Sequence, residues 1–166
     1  MKLFACALAM LTLTLQQVHE APAGAPSTGR LTQTTEPGAP LTVSGTVVSA
    51  DGTPVAGASL YIYQTDAEGY YGVKPESDSR NPRLKASLRS AADGSWSFAT
   101  IRPGSYPGSR VPGHIHFEVA ARGFTSRVFE IVFEGDPFVG DAMRRNPAFS
   151  VRPIESGRVT DRIVLR

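Results

Sequence analysis

Four side chains in two short stretches of the chain have the chemistry to bind one metal ion. They are Tyr71, or its neighbour Tyr70, in "QTDAEGYYGV", and Tyr106, His114 and His116 in "PGSYPGSRVPGHIHF". A phenol has a pKa of about 10, and a bound trivalent cation favours its anion strongly enough to keep it deprotonated at neutral pH. Two such anions with two neutral imidazoles stabilise a ferric ion against reduction. The set therefore predicts a ferric iron site.

The spacing of the two histidines indicates a β-strand. Residues two apart in a strand point to the same face, so both imidazoles project together while Ile115 faces the core. The chain has three histidines, and the third, His19, falls in a segment with the features of an export signal. Two alternatives remain open at this point. The histidine pair is also typical of a surface strand without metal, and each tyrosine could instead pack as a core or loop aromatic.

The first residues have the pattern of an export signal. Lys2 supplies a positive start, residues 3–15 are mostly apolar, and small residues stand at Ala21 and Ala23. We expect residues 1–23 to be a signal peptide, cleaved after Ala21 or Ala23, and the protein to be secreted or periplasmic. A transmembrane helix needs roughly 20 apolar residues. No segment reaches that length, so we expect no membrane attachment after signal removal.

Composition excludes several classes of partner and of stabilising bond. Cys6 is the single cysteine and lies in the expected signal, so we expect no disulfides in the mature protein. The chain has 17 basic and 15 acidic residues, a net charge of +2, without a basic block. We therefore expect no nucleic-acid partner. Nothing in the sequence specifies an oligomeric state.

The chain divides into a linker and one domain. Residues 24–40 are rich in Ala, Pro, Gly and Thr, which predicts a flexible linker. Residues 41–166 are long enough for one core. Short apolar runs between Gly and Pro turns predict strands in "LTVSGTVVS", "GASLYIYQTD", "GSWSFATI", "GHIHFEVAA", "SRVFEIVFEG" and "GRVTDRIVLR". Residues 73–88 are polar and predict an irregular loop that covers or lines a site. We expect an all-β fold, an antiparallel β-sandwich.

The motifs resemble those of the intradiol ring-cleavage dioxygenases, the protocatechuate and catechol dioxygenase family. The resemblance covers residues 43–137 in four ordered blocks, "GTPVAGASLYIYQTDAEGYY", "SAADGSWSFATIRPGSYP", "PGHIHF" and "FEGDP". It implies a β-sandwich of the intradiol dioxygenase core type. It also implies that the tyrosine seven residues after Gln64, which is Tyr71 and not Tyr70, is a metal ligand.

The resemblance implies a ligand set and a reaction. Non-haem Fe(III) would be held by Tyr106 and His116 as axial ligands and by Tyr71 and His114 as equatorial ligands. The substrates would be O2 and a catechol-type ring, cleaved between its two hydroxylated carbons with insertion of both oxygen atoms to give a muconate-type diacid. Tyr106 would accept one substrate proton as a general base.

Two positions depart from the family pattern. Family enzymes usually carry an arginine three residues before the first ligand histidine, where this chain has Val111, and Arg110 is the candidate replacement. Glu130 stands where the family has a glutamine, and its charge would repel a bound dianion. The catalytic candidates are therefore Tyr106, Arg110 and Glu130.

Two other functions remain open. The departures at Val111 and Glu130 are consistent with a secreted iron protein that binds a catechol or siderophore with little turnover. The segment "GTVVSADGTPVAGASLYIY" also resembles metal-free structural modules of the transthyretin-like or carboxypeptidase-regulatory-like type. We further expect Asp136 to close a turn and Arg127 to lie at the surface, with an orientation toward the pocket as the alternative for Arg127.

Overall fold

The computed structural model describes residues 18–32 and 35–166. In chain order, these residues form the strands β1 (Thr28–Arg30), β2 (Pro40–Ser49), β3 (Ser59–Gln64), β4 (Leu84–Arg89), β5 (Ser95–Ile101), β6 (His114–Ala120) and β7 (Arg127–Phe133), the short helix α1 (Asp141–Arg145), and the strands β8 (Phe149–Arg152) and β9 (Arg158–Leu165). The strands form a four-stranded sheet in the order β1-β5-β2-β9 and a five-stranded sheet in the order β4-β3-β6-β7-β8.

One hydrophobic core lies between the two sheets. Strand β6 shows how the sequence builds it, because Ile115, Phe117 and Val119 alternate with polar residues and are each 0% exposed. Burying such a side chain contributes roughly 1.5–3 kcal/mol. From the other sheet, Trp96 and Phe98 of β5 pack against Phe117. The predicted all-β sandwich is confirmed.

The central pairings of both sheets are antiparallel, as predicted. The pairs β1–β5, β2–β9 and β7–β8 are parallel, and each of them involves a strand at the edge of its sheet. A parallel pair needs a long crossover connection, and all three are joined through other elements of the fold.

Strand β1 corrects the prediction of a flexible linker over residues 24–40. Its three residues pair with β5, and Leu31 after it is 6% exposed and belongs to the core. The preceding backbone is held by the Arg89 guanidinium, which donates to the carbonyl oxygens of Ala21 at 2.6 Å and Pro22 at 2.9 Å. Composition predicted flexibility because the segment has few apolar side chains. The contacts that hold it are made by its backbone, which composition does not reveal.

Strand β4 corrects part of the predicted loop over residues 73–88. Leu84 and Leu88 are buried, while Lys85 between them is exposed, and the strand pairs antiparallel with β3. Two leucines in a polar run gave too weak an alternation to predict a strand. Strand β8 and helix α1 were likewise not predicted.

The predicted signal peptide falls outside the described residues except for residues 18–23. That part packs on the five-stranded sheet: the His19 ring stacks on Tyr61 at 4.4 Å, and the Ala21 amide donates to Ser59 Oγ at 2.7 Å. In the described part of the chain, no helix has the length and apolar character needed to cross a bilayer.

Candidate metal centre

Strand β6 places His114 and His116 on the face of its sheet that points away from the core. Ile115 between them is 0% exposed and points into the core, as the strand spacing predicted. His114 is itself only 3% exposed, because loops cover this end of the strand. Across the sheet, His116 is paired with Tyr63 of β3 on one side and with Glu130 of β7 on the other.

Tyr71 comes from the loop that follows β3. The carboxylate of Asp66 accepts hydrogen bonds from the backbone amides of Glu68 and Tyr70, both at 3.0 Å, and this turn reverses the chain. The amide of Arg83 then donates to the Tyr71 carbonyl oxygen at 2.7 Å. The turn brings Tyr71, not Tyr70, to the histidines, and Tyr71 is 2% exposed.

Tyr106 comes from the loop between β5 and β6, which packs main chain against main chain with the Tyr71 loop. A Cβ at Gly69, whose φ is +91°, would lie 1.9 Å from the Ser105 carbonyl oxygen, and one at Gly104 would lie 2.4 Å from that of Ala67. The Gly104 amide also donates to the Asp66 carbonyl oxygen at 2.8 Å. Only glycine permits this approach, which sets the distance between the two phenols.

The polar tips of the four predicted ligands form a closed ring. Oη of Tyr71 lies 2.5 Å from Oη of Tyr106, and the latter lies 2.9 Å from Nε2 of His114. Nε2 of His116 lies 3.0 Å from Nε2 of His114 and 2.6 Å from Oη of Tyr71. We call these four atoms the four-atom ring. Two phenol oxygens and two imidazole nitrogens thus converge on one point.

The other nitrogen of each imidazole is occupied outside the four-atom ring. Nδ1 of His114 lies 2.8 Å from the Pro112 carbonyl oxygen, to which it donates, so that Nε2 carries the lone pair. Nδ1 of His116 faces the Glu130 carboxylate at 3.4 Å. The Tyr63 ring stacks on the His116 ring at 4.3 Å and fixes its plane.

Burial keeps three groups of the site, Tyr71, Tyr106 and His116, in their neutral forms. Burial, followed by the hydrogen bond with Tyr106, raises the pKa of Tyr71, and burial also raises the pKa of Tyr106. Burial, followed by repulsion from His114, lowers the pKa of His116 to about 3. Neutral imidazoles present lone pairs to a cation, and a cation would release the phenol protons that burial otherwise retains.

A cavity of about 440 Å³ opens beside the two phenols. Its lining residues are Tyr70, Tyr71, Ser77, Ser79, Tyr106 and Pro107. The serines belong to the segment between β3 and β4, which was predicted to cover or line a site. A small molecule in this cavity would lie next to Tyr71 and Tyr106.

The structure does not bring every predicted residue to the site. Arg110 is exposed, and its guanidinium lies 5.9 Å from the centre of the Phe138 ring. Val111, the position of the usual family arginine, is 36% exposed. Arg127 is half-buried over the Phe129 ring at 4.5 Å and is not among the residues that line the cavity.

Glu130 and Asp136 take positions beside the site. Glu130, His114 and His116 form a group whose ligand atoms lie within 4.8 Å of one another, but Glu130 approaches Nδ1 of His116 and therefore lies outside the four-atom ring. Asp136 closes a turn, as predicted, by accepting from the Phe138 amide at 3.0 Å. It also accepts from the Gly113 amide at 3.4 Å, next to His114.

Sequence reasoning missed the roles of Tyr63 and Gln64. Gln64 is 0% exposed; its Nε2 donates to the Ile101 carbonyl oxygen at 3.0 Å, and its Oε1 accepts from the Thr100 hydroxyl at 2.8 Å. This amide ties β3 to β5 beneath the loops of Tyr71 and Tyr106. A glutamine at the end of an apolar strand was a usable signal, whereas the partner of Tyr63 depends on strand register.

Comparison with known proteins shows the family of this chain. The family model described as "Dioxygenase" matches residues 17–153. A catechol 1,2-dioxygenase of Acinetobacter lwoffii is 32% identical over 72% of this chain and 50% of its own length. A protocatechuate 3,4-dioxygenase beta chain of Burkholderia cepacia is 32% identical over 76% of this chain and 55% of its own length. The chain thus spans about half of each relative.

One solved structure matches this chain over nearly the whole length of both proteins. It is the dioxygenase domain of a dioxygenase and carbohydrate-binding protein fusion from the cellulolytic bacterium Streptomyces sp. SirexAA-E. The two are 27% identical with a TM-score of 0.64, over 91% of this chain and 97% of that domain. The family match covers most of the chain, including the four residues that contribute to the four-atom ring. The chain belongs to the intradiol ring-cleaving dioxygenase family.

Proposed function

We propose that this protein is a non-haem ferric dioxygenase that cleaves a catechol-type ring between its hydroxylated carbons. The observation that carries the proposal is the four-atom ring, whose neighbouring atoms are 2.5–3.0 Å apart. Oxygen and nitrogen ligands lie about 2.0–2.2 Å from small cations, which leaves adjacent ligand atoms about 3 Å apart. The four residues therefore fit one metal ion with little movement.

The chemistry of the ligand atoms favours Fe(III). Tyr71 and Tyr106 would bind as phenolates, and His114 and His116 through Nε2 as neutral imidazoles, a set that stabilises a trivalent ion. Ferric iron, when bound, would supply an electron-accepting centre that makes a catechol ring reactive toward O2. The expected product is a muconate-type diacid that contains both oxygen atoms of O2.

The two phenols have different roles in the proposed reaction. Tyr71 is 2% exposed on a loop fixed by the Asp66 turn, which suits a permanent ligand. Tyr106 is half-buried at the cavity, on a loop between Gly104 and Pro107. Its oxygen would accept the proton of a catechol hydroxyl as substrate enters, which is the function of a general base. Ser109 Oγ, which donates to the Tyr106 carbonyl oxygen at 2.9 Å, supports this loop.

Iron loading and oxygen uptake test the proposal together. The purified full chain, loaded with iron, should show tyrosinate-to-iron charge-transfer absorption in the visible range. It should consume O2 with a panel of catechols and release a diacid that carries two labelled oxygen atoms from 18O2. A colourless iron-loaded protein that consumes no O2 would contradict the proposal.

A second candidate is an iron protein that binds catechols with little turnover. The position of Arg110 over Phe138 favours it, because the family arginine that steadies the reacting ring has no counterpart at the four-atom ring among the described residues. This candidate predicts a coloured protein whose absorption shifts with catechol while O2 is not consumed. The four-atom ring weighs against the metal-free structural module.

We also propose that the protein acts after export. The positive start and apolar run of residues 1–15 support this, together with the small residues Ala21 and Ala23. Cell fractionation followed by mass measurement of the extracytoplasmic protein tests it. A full-length protein found only in the cytoplasm would contradict export.

A further inference from the structure

The cavity beside the phenols has a wall of hydroxyl groups. Ser77 and Ser79 line it together with Tyr70, while Tyr71 and Tyr106 mark the position of the proposed metal. A catechol that approaches the four-atom ring therefore presents its ring substituents toward neutral groups that both donate and accept hydrogen bonds. This wall suits hydroxyl substituents on the ring.

Three basic side chains in the segment between β3 and β4 form ion pairs with carboxylates. They form the pairs Lys74 with Glu68 at 2.9 Å, Arg80 with Asp78 at 2.9 Å, and Arg83 with Glu36 at 2.6 Å. Lys74 also lies over the Tyr70 ring at 5.7 Å and is not among the residues that line the cavity. Within the described residues, the lining of the cavity contains no cation.

Glu130 adds a negative charge next to the proposed metal. Its carboxylate is 3.4 Å from Nδ1 of His116. Nε2 of the same imidazole belongs to the four-atom ring. A catechol binds as an anion, so a further carboxylate on its ring would meet repulsion from Glu130 without a cation on the cavity wall to offset it.

Resting on the function proposed above, we infer that the cavity selects catechols with uncharged, hydrogen-bonding substituents, such as a third hydroxyl, over catechols with a ring carboxylate. Ser77 and Ser79 are the residues that determine this preference. The four-atom ring alone would bind neutral and carboxylated catechols equally well, so the preference comes from the cavity wall.

Titration of the iron-loaded full chain in the absence of O2 measures the preference without turnover. The probes are catechol, 1,2,4-trihydroxybenzene and 3,4-dihydroxybenzoate, and the signal is the shift of the charge-transfer absorption. We expect 3,4-dihydroxybenzoate to bind at least about tenfold more weakly than catechol, and 1,2,4-trihydroxybenzene to bind at least as tightly as catechol. Equal or tighter binding of 3,4-dihydroxybenzoate would overturn the inference.

A gain of binding tests the residues themselves. Ser79→Arg and, separately, Ser77→Arg place a cation on the wall and should tighten 3,4-dihydroxybenzoate binding about tenfold relative to catechol. The matched control is Ser126→Arg, an exposed serine that lines other pockets beyond the far end of β6 and adds the same charge. An equal gain in the control, or no gain in either wall variant, would overturn the assignment to these serines.

The outcomes separate this inference from the proposed function. If the iron-loaded protein shows no charge-transfer absorption, or no shift with any of the three probes, the proposed function fails and the inference with it. If all three probes shift the absorption but the carboxylated probe binds best, the proposed function stands and only the substrate preference is wrong.

Discussion

The carboxylate of Glu130 lies 3.4 Å from Nδ1 of His116, across the β6–β7 pair. Nε2 of the same ring lies in the four-atom ring. A carboxylate beside one imidazole nitrogen keeps the proton there, orients the ring and strengthens the other nitrogen as a ligand. This contact places Glu130 beside a proposed ligand, on the side of the His116 ring that faces away from the other three atoms of the four-atom ring.

Replacing Glu130 by glutamine should weaken iron binding. Glu130→Gln keeps the shape of the side chain but removes its charge, so His116 becomes a weaker ligand and the ferric ion a stronger electron acceptor. We expect about a tenfold loss of iron affinity and a charge-transfer band at lower energy, measured by chelator competition and visible spectroscopy. Glu134→Gln is the control, since Glu134 pairs with Arg144. Unchanged affinity and spectrum in Glu130→Gln would contradict the expectation.

Removing the Tyr106 phenol should separate iron binding from turnover. Tyr106→Phe keeps three of the four ring atoms, so we expect the variant to retain iron with weaker charge-transfer absorption. Loss of a general base typically lowers rates about 10²- to 10⁴-fold, which oxygen uptake with catechol would measure. Tyr61→Phe, on the outer face of β3 and away from the four-atom ring, serves as the control. Full activity in Tyr106→Phe would show that another group accepts the proton.

Iron should stabilise the fold by binding the native state only. The four-atom ring joins β6 to two loops, so it is complete only when the sandwich is folded. At a free iron concentration about 1,000 times Kd, binding contributes about 4 kcal/mol. Thermal denaturation should therefore show a lower Tm after chelation. His116→Ala, which lacks one ring atom, should show little change with chelator, and an equal fall in that variant would indicate a chelator effect unrelated to the site.

The buried Gln64 amide should hold β3 and β5 together. Gln64→Leu leaves the Thr100 hydroxyl and the Ile101 carbonyl without this partner, and each unsatisfied buried group costs about 1–3 kcal/mol. We expect the free energy of unfolding to fall by about 2–4 kcal/mol in urea denaturation. Adding Thr100→Val should recover part of the loss. Strict additivity of the two changes would argue against the contact between them.

Residues 18–23 should contribute to stability if they remain in the mature protein. A chain that begins at Val18 keeps the Ala21 contacts with Ser59 and Arg89, whereas one that begins at Gly24 loses them. Each hydrogen bond contributes about 0.5–1.5 kcal/mol, so we expect the shorter chain to be about 1–3 kcal/mol less stable. Urea denaturation of both chains measures the difference. Equal stability of the two chains would show that cleavage after Ala23 does not destabilise the domain.

The sequence predicted the strands that alternate strongly and missed those that do not. Strand β5 alternates Trp96 and Phe98 with small polar residues, and this pattern reflects burial directly. Strand β1 has no such pattern, because its three residues are held by pairing with β5 rather than by apolar side chains. Strand β4 buries only two leucines. Such strands depend on neighbours that are distant in sequence.

The candidate site was predictable in its residue types but not in its contacts. Strand spacing placed His114 and His116 on one face, while the choice of Tyr71 over Tyr70 needed the family resemblance because it depends on the Asp66 turn. The approach of Glu130 to His116 follows from β6–β7 register, and the position of Arg110 from its contact with Phe138. Both are tertiary contacts that local pattern does not encode.

The close main-chain packing at Gly69 and Gly104 has an evolutionary consequence. Because main-chain contacts at Gly69 and Gly104 hold the loops of Tyr71 and Tyr106 together, we expect exchange of the side chains at positions 77 and 79 to leave both phenols in place. Under the proposed function, mutation at these positions would change which aromatic compounds are accepted while the four-atom ring is inherited unchanged.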